Sequence, residues 1–152
     1  MLKQKVDIVC ITLSSPILIG IYRENRLIDS IVTEERSSEV LPIIFDELLE
    51  KYELSSLIYA NGPGSFMAIK VSYIFLKSLS ILKEIPLYCT DAFYFNNNKP
   101  IKAIGKLCFV KIHDKIITKK CDEEVGRFTL PKQLVKKDFT QNCLPSYGIG
   151  AV

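Results

Sequence analysis

Histidine is almost absent from this sequence, and the sequence motifs of hydrolytic enzymes are missing. His113 is the one histidine in 152 residues. One imidazole cannot build a zinc site of the HExxH kind. His113 also has no visible Ser/His/Asp partners, and no nucleophile motif accompanies it. We therefore expect no peptidase activity, and we expect His113 to lie at a solvated turn.

The sequence also lacks CxxC spacing, a targeting segment and an apolar run long enough to span a membrane. Five cysteines, an odd number, without a signal peptide are typical of a reducing compartment. We therefore expect free thiols, a cytoplasmic location and no membrane association. Cys10, Cys89 and Cys108 lie in apolar runs and are expected in the core.

Excess charge of one sign is small. The net charge is +3, from 20 basic and 17 acidic residues, with 48% hydrophobic and 24% charged residues. This is the composition of a folded soluble protein, and the charge is too small to indicate nucleic acid as the main partner. The lysine pairs 119–120 and 136–137 are interpreted as solvated surface, with a tRNA backbone contact as the alternative.

The first part of the chain reads as strands followed by alternating helices and strands. Apolar runs separated by turn residues predict the order β-β-β-α-β-α-β. The predicted strands are 6–13, 17–22, 26–33, 57–60 and 86–90, and the predicted helices are 38–52, capped by Ser37 or Ser38, and 66–82. Three antiparallel strands followed by α/β crossovers predict a ribonuclease-H-like α/β core, as in the actin, Hsp70 and sugar-kinase superfamily.

A polar break at 96–100 separates a smaller second part. We expect lobes at residues 1–98 and 99–152, and the second is too small to bury a core alone. It should therefore pack on the first. Its pattern predicts a hairpin of strands 101–112 and 115–120 with its turn at His113-Asp114, a short helix at 131–137 and a terminal strand at 144–149.

The turn Gly62-Pro63-Gly64-Ser65 joins the fourth strand to the second helix. Such a joint holds phosphates in many nucleotide-binding folds. Pro63, however, removes one backbone N–H, and the lysine of a phosphate-binding loop is missing. We interpret the turn as structural, with Ser65 as helix cap. At least one glycine should then need positive φ or a close backbone approach.

Both predicted helices are more apolar than a single buried face requires. In the second helix, Lys70, Lys77 and Glu84 form one narrow polar stripe. The excess apolar surface is covered either by the second lobe and the neighbouring helix or by another protein. For the second case we expect an outward set that consists of Val40, Ile43, Phe66, Ile69, Tyr73 and Leu76.

Several of these segments resemble the TsaB (YeaZ) family of bacterial tRNA threonylcarbamoyladenosine synthesis. The main element is Gly62-Pro63-Gly64-Ser65-Phe66, which matches the family's GPGSF, and the resemblance covers about residues 6–95. Supporting segments are Ile8–Ile11, Ser38–Pro42, Ile85-Pro86 and Pro145-Ser146-Tyr147. The chain departs from the family at Thr12, at Arg36 and at Met67, Ala68, Lys70 and Ser72, and its second lobe is shorter.

The resemblance implies a non-catalytic scaffold that dimerises with a TsaD-type subunit, which transfers threonylcarbamoyl to the adenosine beside the anticodon. It implies a TsaE-type ATPase bound to the complex, a homodimer when the chain is alone, and at most indirect contact with tRNA. ATP and metal would belong to the partner subunit, so that this chain alone binds no cofactor or metal and has no catalytic residue.

The alternative is a small independent kinase or ATPase of the actin-like kind. Phosphoryl transfer needs carboxylates that hold Mg²⁺ near the phosphates. Asp7 stands at the start of its strand, the wrong end for that role, and Asp91 is expected to cap the turn 92–95. The sequence therefore favours the scaffold.

Overall fold

The computed structural model describes residues 2–121 and 125–147. Within these ranges the strands are β1 (Gln4–Ile11), β2 (Ile17–Arg23), β3 (Arg26–Thr33), β4 (Tyr52–Ala60), β5 (Leu87–Thr90), β6 (Ile101–Lys102), β7 (Leu107–Ile112) and β8 (Lys115–Lys120). The α-helices are α1 (Ser37–Lys51) and α2 (Phe66–Lys83), and short 3₁₀ helices span Ala92–Phe95 and Lys136–Asp138. None of the helices in the described ranges is long and apolar enough to cross a membrane.

The first five strands form one sheet in the order β3-β2-β1-β4-β5. β1, β2 and β3 pair antiparallel, whereas β4 is parallel to both β1 and β5. Helix α2 makes the crossover that two adjacent parallel strands require. The predicted order of strands and helices in a mixed α/β fold is therefore confirmed.

Both faces of the central strands are buried, which explains why their sequences are almost continuously apolar. On β1, Ile8 and Cys10 pack with the core residues of α1, while Val9 and Ile11 pack on the opposite face. The opposite face is covered by residues of the second lobe, among them Ile101, Phe109 and Leu134. The sheet thus lies between the two helices and the second lobe.

Helices α1 and α2 lie side by side on the first face. The rings of Phe45 and Phe75 pack with centroids 5.5 Å apart, and Leu41, Phe45 and Leu76 belong to the same buried cluster as Ile8. This contact accounts for part of the excess apolar surface that the sequence shows on both helices.

The second lobe is a three-stranded antiparallel sheet in the order β6-β7-β8, followed by an extended segment. The β7–β8 turn lies at His113 and Asp114, both with positive φ, as predicted. Cys108 and Cys121 form a disulfide across this hairpin, so the expectation of free thiols is wrong for these two residues. Cys10, Cys89 and Cys143 are free and buried.

Several predicted boundaries are wrong. β4 begins at Tyr52, because residues 52–56 pair with β1, and the N-cap of α1 is Arg36, so neither Ser37 nor Ser38 caps the helix. No helix spans 131–137: Gln133 forms an antiparallel β-bridge with Arg26, and only Lys136–Asp138 is helical. Of the predicted terminal strand, residues 144–147 are irregular, and 148 and 149 lie outside the described residues.

Candidate partner interface and glycine turn

The glycine turn is fixed by close backbone contacts. Gly62 has φ +122°, and a Cβ atom there would lie 1.8 Å from the carbonyl oxygen of Ser146. A Cβ at Gly64 would lie 2.9 Å from Leu13 Cβ, and the Leu13 carbonyl accepts from Ser65 N–H at 3.3 Å. Only glycine fits the first position, because it combines positive φ with no side chain.

Ser65 is the N-cap of α2. Its Oγ accepts a long hydrogen bond from the N–H of Ala68 at 3.5 Å. Hydroxyl side chains favour this position because the first N–H groups of a helix have no partner inside it. The cap, together with the contacts of Gly62 and Gly64, sets the direction in which α2 leaves the sheet.

The C-terminal segment packs against the same turn. Ser146 N–H donates to Asn61 O at 2.8 Å, and Asn61 Nδ2 donates to Leu144 O at 3.1 Å. The ring of Tyr147 meets the edge of Phe66 at a centroid distance of 5.0 Å. The sequence suggested Pro145-Ser146-Tyr147 only as a family element, and no local signal shows that it contacts residues 61–66.

Two of the family departures contact each other. The hydroxyl oxygens of Thr12 and Ser72 lie 2.5 Å apart in the core. Each hydroxyl supplies the partner that the other needs once buried. The Thr12 position therefore holds no carboxylate that could face a metal ion.

The candidate carboxylates of the first lobe are engaged. Asp7 accepts from Ser56 Oγ at 2.5 Å and pairs with Lys136 Nζ at 2.8 Å. Asp91 pairs with Lys111 Nζ at 2.5 Å. Asp91 is the N-cap residue of the 3₁₀ helix, but its side chain makes no capping hydrogen bond, so the expected capping role is wrong. The ion pair with Lys111 satisfies one of its oxygens instead.

Tyr59 forms a hydrogen bond that joins the C-terminal segment to the sheet. Its hydroxyl donates to the carbonyl oxygen of Cys143, and burial raises the pKa of Tyr59 above the usual range for tyrosine. Thr140 also exchanges backbone hydrogen bonds with Cys89 on β5, at 2.8 and 3.0 Å. Tyr59 is therefore a neutral, structural group.

Two surface cavities flank the glycine turn. One, of about 540 Å³, is mainly apolar and lined by Leu13, Phe66, Ile101, Phe109 and Phe128 among others. The other, of about 570 Å³, is also mainly apolar, with Ser37, Ser65 and Arg36 among its polar lining residues. Among residues 2–121 and 125–147, no three His, Cys, Asp or Glu residues are grouped so that they could hold a metal ion.

The structure corrects half of the expected outward set. Val40 is 6% exposed, and Ile69 and Leu76 are fully buried. Val40 and Leu76 pack in the cluster that contains Ile8, and Ile69 packs in the cluster that contains Val9 and Ile11. Tyr73 is half-buried near Tyr59, with ring centroids 6.3 Å apart. Ile43 and Phe66 are exposed, as expected.

The outward apolar residues of α2 are ones that sequence reasoning missed. Met67, Ile74 and Ile81 are 68%, 54% and 66% exposed, and Leu82 beside them is 79% exposed. A signal for them existed. Each of the first three lies three residues before Lys70, Lys77 or Glu84, and positions three apart share a helix face. The polar stripe therefore indicates which side of α2 faces solvent, and the apolar residues three positions before its members lie on that same side.

Comparison with known proteins identifies a fold. No protein-family model and no curated protein matches the chain. Among solved structures, YeaZ from Pseudomonas aeruginosa aligns with a TM-score of 0.53 at 15% identity, over 84% of this chain and 71% of that one. A structure described as an uncharacterized protein with similarity to peptidase YeaZ from Pseudomonas aeruginosa aligns with a TM-score of 0.55 at 13% identity, over 84% of this chain and 65% of that one.

The alignment extends the resemblance, since 84% of the chain is more than residues 6–95 and includes part of the second lobe. The chain spans only about two thirds of the length of these structures. At such low identity the likeness concerns the path of the backbone. The similarity to YeaZ that the sequence indicated is therefore confirmed, and this chain has the YeaZ fold.

Proposed function

We propose that this protein is a non-catalytic scaffold subunit that resembles TsaB and pairs with a TsaD-type subunit in the threonylcarbamoylation of tRNA. The observation that carries the proposal is the exposed apolar row Met67, Ile74 and Ile81 on α2. Its members are seven residues apart, which is close to two helical turns, so they lie along one line.

Helix α1 extends this surface. Ile43 is 59% exposed on α1, and Phe66 is 45% exposed at the start of α2. We call the exposed residues Ile43, Phe66, Met67, Ile74, Ile81 and Leu82 the helix patch. A seven-residue apolar repeat on a solvent-facing helix is typical of a helix–helix seam. Monomers rarely leave such a contiguous surface uncovered.

The charges around the helix patch favour a two-fold arrangement. The outer side of α2 carries Lys70 and Lys77, while the outer side of α1 carries exposed carboxylates, among them Glu39, Asp46 and Glu47. A two-fold contact between proteins of one fold can place α1 of each against α2 of the other. Lysines would then face carboxylates around an apolar centre. The same surface predicts a homodimer when the partner is absent.

The site chemistry supports a scaffold over an independent kinase or ATPase. Thr12 occupies the family's carboxylate position, Pro63 lacks an N–H in the glycine turn, and Asp91 is paired with Lys111. ATP and metal would then belong to the TsaD-type partner, with a TsaE-type ATPase as a further member of the complex. The sheet order and the two crossovers support the finer assignment to the ribonuclease-H-like core of the actin-like superfamily.

Introduction of a charge into the helix patch tests the proposal. We expect Ile74→Glu to abolish co-purification of the TsaD-type subunit with the tagged protein from its own cells, because a buried unpaired charge at an interface centre is strongly unfavourable. The matched control is Val32→Glu, which places the same charge at a 61% exposed aliphatic position on β3. It should bind like the wild type, and both variants should keep the wild-type melting temperature.

Co-purification with Ile74→Glu at wild-type yield would contradict the proposed interface. Calorimetry distinguishes the scaffold from the alternative, an independent kinase or ATPase. The scaffold predicts no heat of binding when ATP–Mg²⁺ is titrated into the isolated chain. Micromolar binding at a 1:1 ratio would instead support the kinase or ATPase.

A further inference from the structure

The two parts of the chain carry opposite net charge. Residues 1–98 have 9 basic and 12 acidic side chains, a net charge of −3, whereas residues 99–152 have 11 basic and 5 acidic side chains, a net charge of +6. The overall value of +3 conceals this separation. A charge asymmetry of this kind indicates an anionic partner for the basic part.

The three-stranded sheet brings exposed lysines of its two edge strands to the same end. Across the sheet, Lys102 pairs with Cys108, which pairs with Lys119. In the next row, Ile101 and Phe109 are buried against the first lobe. In the row of Lys102 and Lys119, the central Cys108 is also buried, while the two lysines on the edge strands are exposed. Adjacent strands are about 4.8 Å apart, which places the Cα atoms of Lys102 and Lys119 roughly 10 Å apart.

Two more lysines lie at the same end of this sheet, and Lys120, which follows Lys119 in β8, projects from the opposite face. The carbonyl oxygen of Lys106 accepts from Cys121 N–H at 2.9 Å, and Lys120 pairs with Leu107. We call Lys102, Lys106, Lys119 and Lys120 the lysine patch, and all four are exposed. The ion pairs found among the described residues, Lys111–Asp91 and Lys136–Asp7, involve none of them.

We propose that the lysine patch binds the phosphate backbone of RNA directly, and that in the proposed function this RNA is the tRNA substrate. Like charges at one end of a sheet repel one another, and phosphates would remove that repulsion while releasing their counterions. The family resemblance implied at most an indirect contact. The opposite net charge of the two parts of the chain favours a direct one.

A structural explanation of the patch makes a different prediction. β6 and β8 are the edge strands of their sheet, and lysines on edge strands prevent pairing with other chains. Any charge serves that purpose, whereas phosphate binding needs positive charge. Replacement of the lysines by glutamate therefore keeps the edges charged and removes only the RNA contact.

The test compares two full-length variants that each lose four lysines. The patch variant is K102E/K106E/K119E/K120E, and the control is K3E/K5E/K51E/K83E, with four exposed lysines of the first lobe. Binding of an unmodified tRNA transcript that reads a codon beginning with A is followed by fluorescence anisotropy between 50 and 200 mM salt. We expect wild-type affinity to fall with salt, and the patch variant to bind at least about tenfold more weakly at 50 mM.

The control should bind tRNA within about threefold of the wild type. The slope of log K against log salt should become shallower by roughly 2–4 in the patch variant, since about one unit is lost per phosphate contact. Absence of wild-type binding at 50 mM salt, or equal losses in both variants, would overturn the proposal. Tighter wild-type binding to vesicles with 30% anionic lipid than to tRNA would assign the patch to a membrane and would also overturn it.

Failure of this inference is distinguishable from failure of the proposed function. tRNA binding through the patch without co-purification of a TsaD-type subunit would leave the RNA surface standing and remove the scaffold role. Co-purification that depends on Ile74, together with unchanged tRNA binding by the patch variant, would do the reverse.

Discussion

At the scale of single residues, Gly62 has the strictest requirement in the described structure. Its φ of +122° and the Ser146 carbonyl oxygen at 1.8 Å from a built Cβ leave no room for a side chain. We expect Gly62→Ala to lower the free energy of unfolding by about 3 kcal/mol. In a protein of this size, that change lowers the melting temperature by roughly 6–12 °C in a thermal denaturation experiment.

Gly105 provides the matched control for Gly62→Ala. It also has positive φ, +63°, but nothing lies within 4 Å of a built Cβ. Gly105→Ala therefore measures backbone strain without a clash, about 1–2 kcal/mol. If Gly62→Ala were no more destabilising than Gly105→Ala, the contact between the glycine turn and the C-terminal segment would be wrong.

The role of a single residue could be predicted from the sequence only where its contact partner lies nearby along the chain. The cap at Ser65 follows from its position before an apolar run, since its partner lies three residues ahead. The contact of Thr12 with Ser72 joins residues 60 positions apart and leaves no local sequence signal. The expected cap at Asp91 failed for a related reason, because a distant lysine, Lys111, competes for its carboxylate.

At the scale of elements, α2 has two apolar sides with different energetic roles. Ile69 is fully buried on the sheet side, and Ile74 is 54% exposed. We expect Ile69→Ala to cost about 2–5 kcal/mol of stability, the usual range for a buried large-to-small change. Ile74→Ala should stay within about 0.5 kcal/mol, as surface substitutions do.

Urea denaturation at a protein concentration where sedimentation shows a monomer separates these two effects. The comparison has the same residue change on the same helix, so helix propensity contributes equally to both variants. Equal losses of stability in the two variants would mean that α2 is rotated relative to the sheet, and that Ile74 does not belong to the helix patch.

At the scale of the whole molecule, the two lobes share a core. One buried cluster contains Val9, Ile11 and Ile58 of the first sheet together with Ile101 and Phe109 of the second. We therefore expect residues 99–152 expressed alone to be unfolded, because a piece of this size loses the surface on which it packs. Far-UV circular dichroism and amide proton dispersion by NMR measure this directly.

A folded spectrum for the isolated second lobe would show that it has a sufficient core of its own. The full chain serves as the positive control in the same buffer. The expected result would agree with the packing of Ile101 and Phe109 against Val9 and Ile11 of the first sheet.

The sequence by itself determined the order of strands and helices and the position of the glycine turn, because period-2 and period-3.6 patterns and turn chemistry are local properties of the chain. It also carried the resemblance to YeaZ, through Gly62-Pro63-Gly64-Ser65-Phe66 and its supporting segments. Only the tertiary structure decided which helix faces are free. Val40, Ile69 and Leu76 became core and Met67, Ile74 and Ile81 became surface, since burial depends on how each helix is rotated against the sheet. The separation of charge between the lobes is already in the sequence, but the gathering of Lys102, Lys106, Lys119 and Lys120 at one end of a sheet follows from strand pairing, which joins residues distant along the chain.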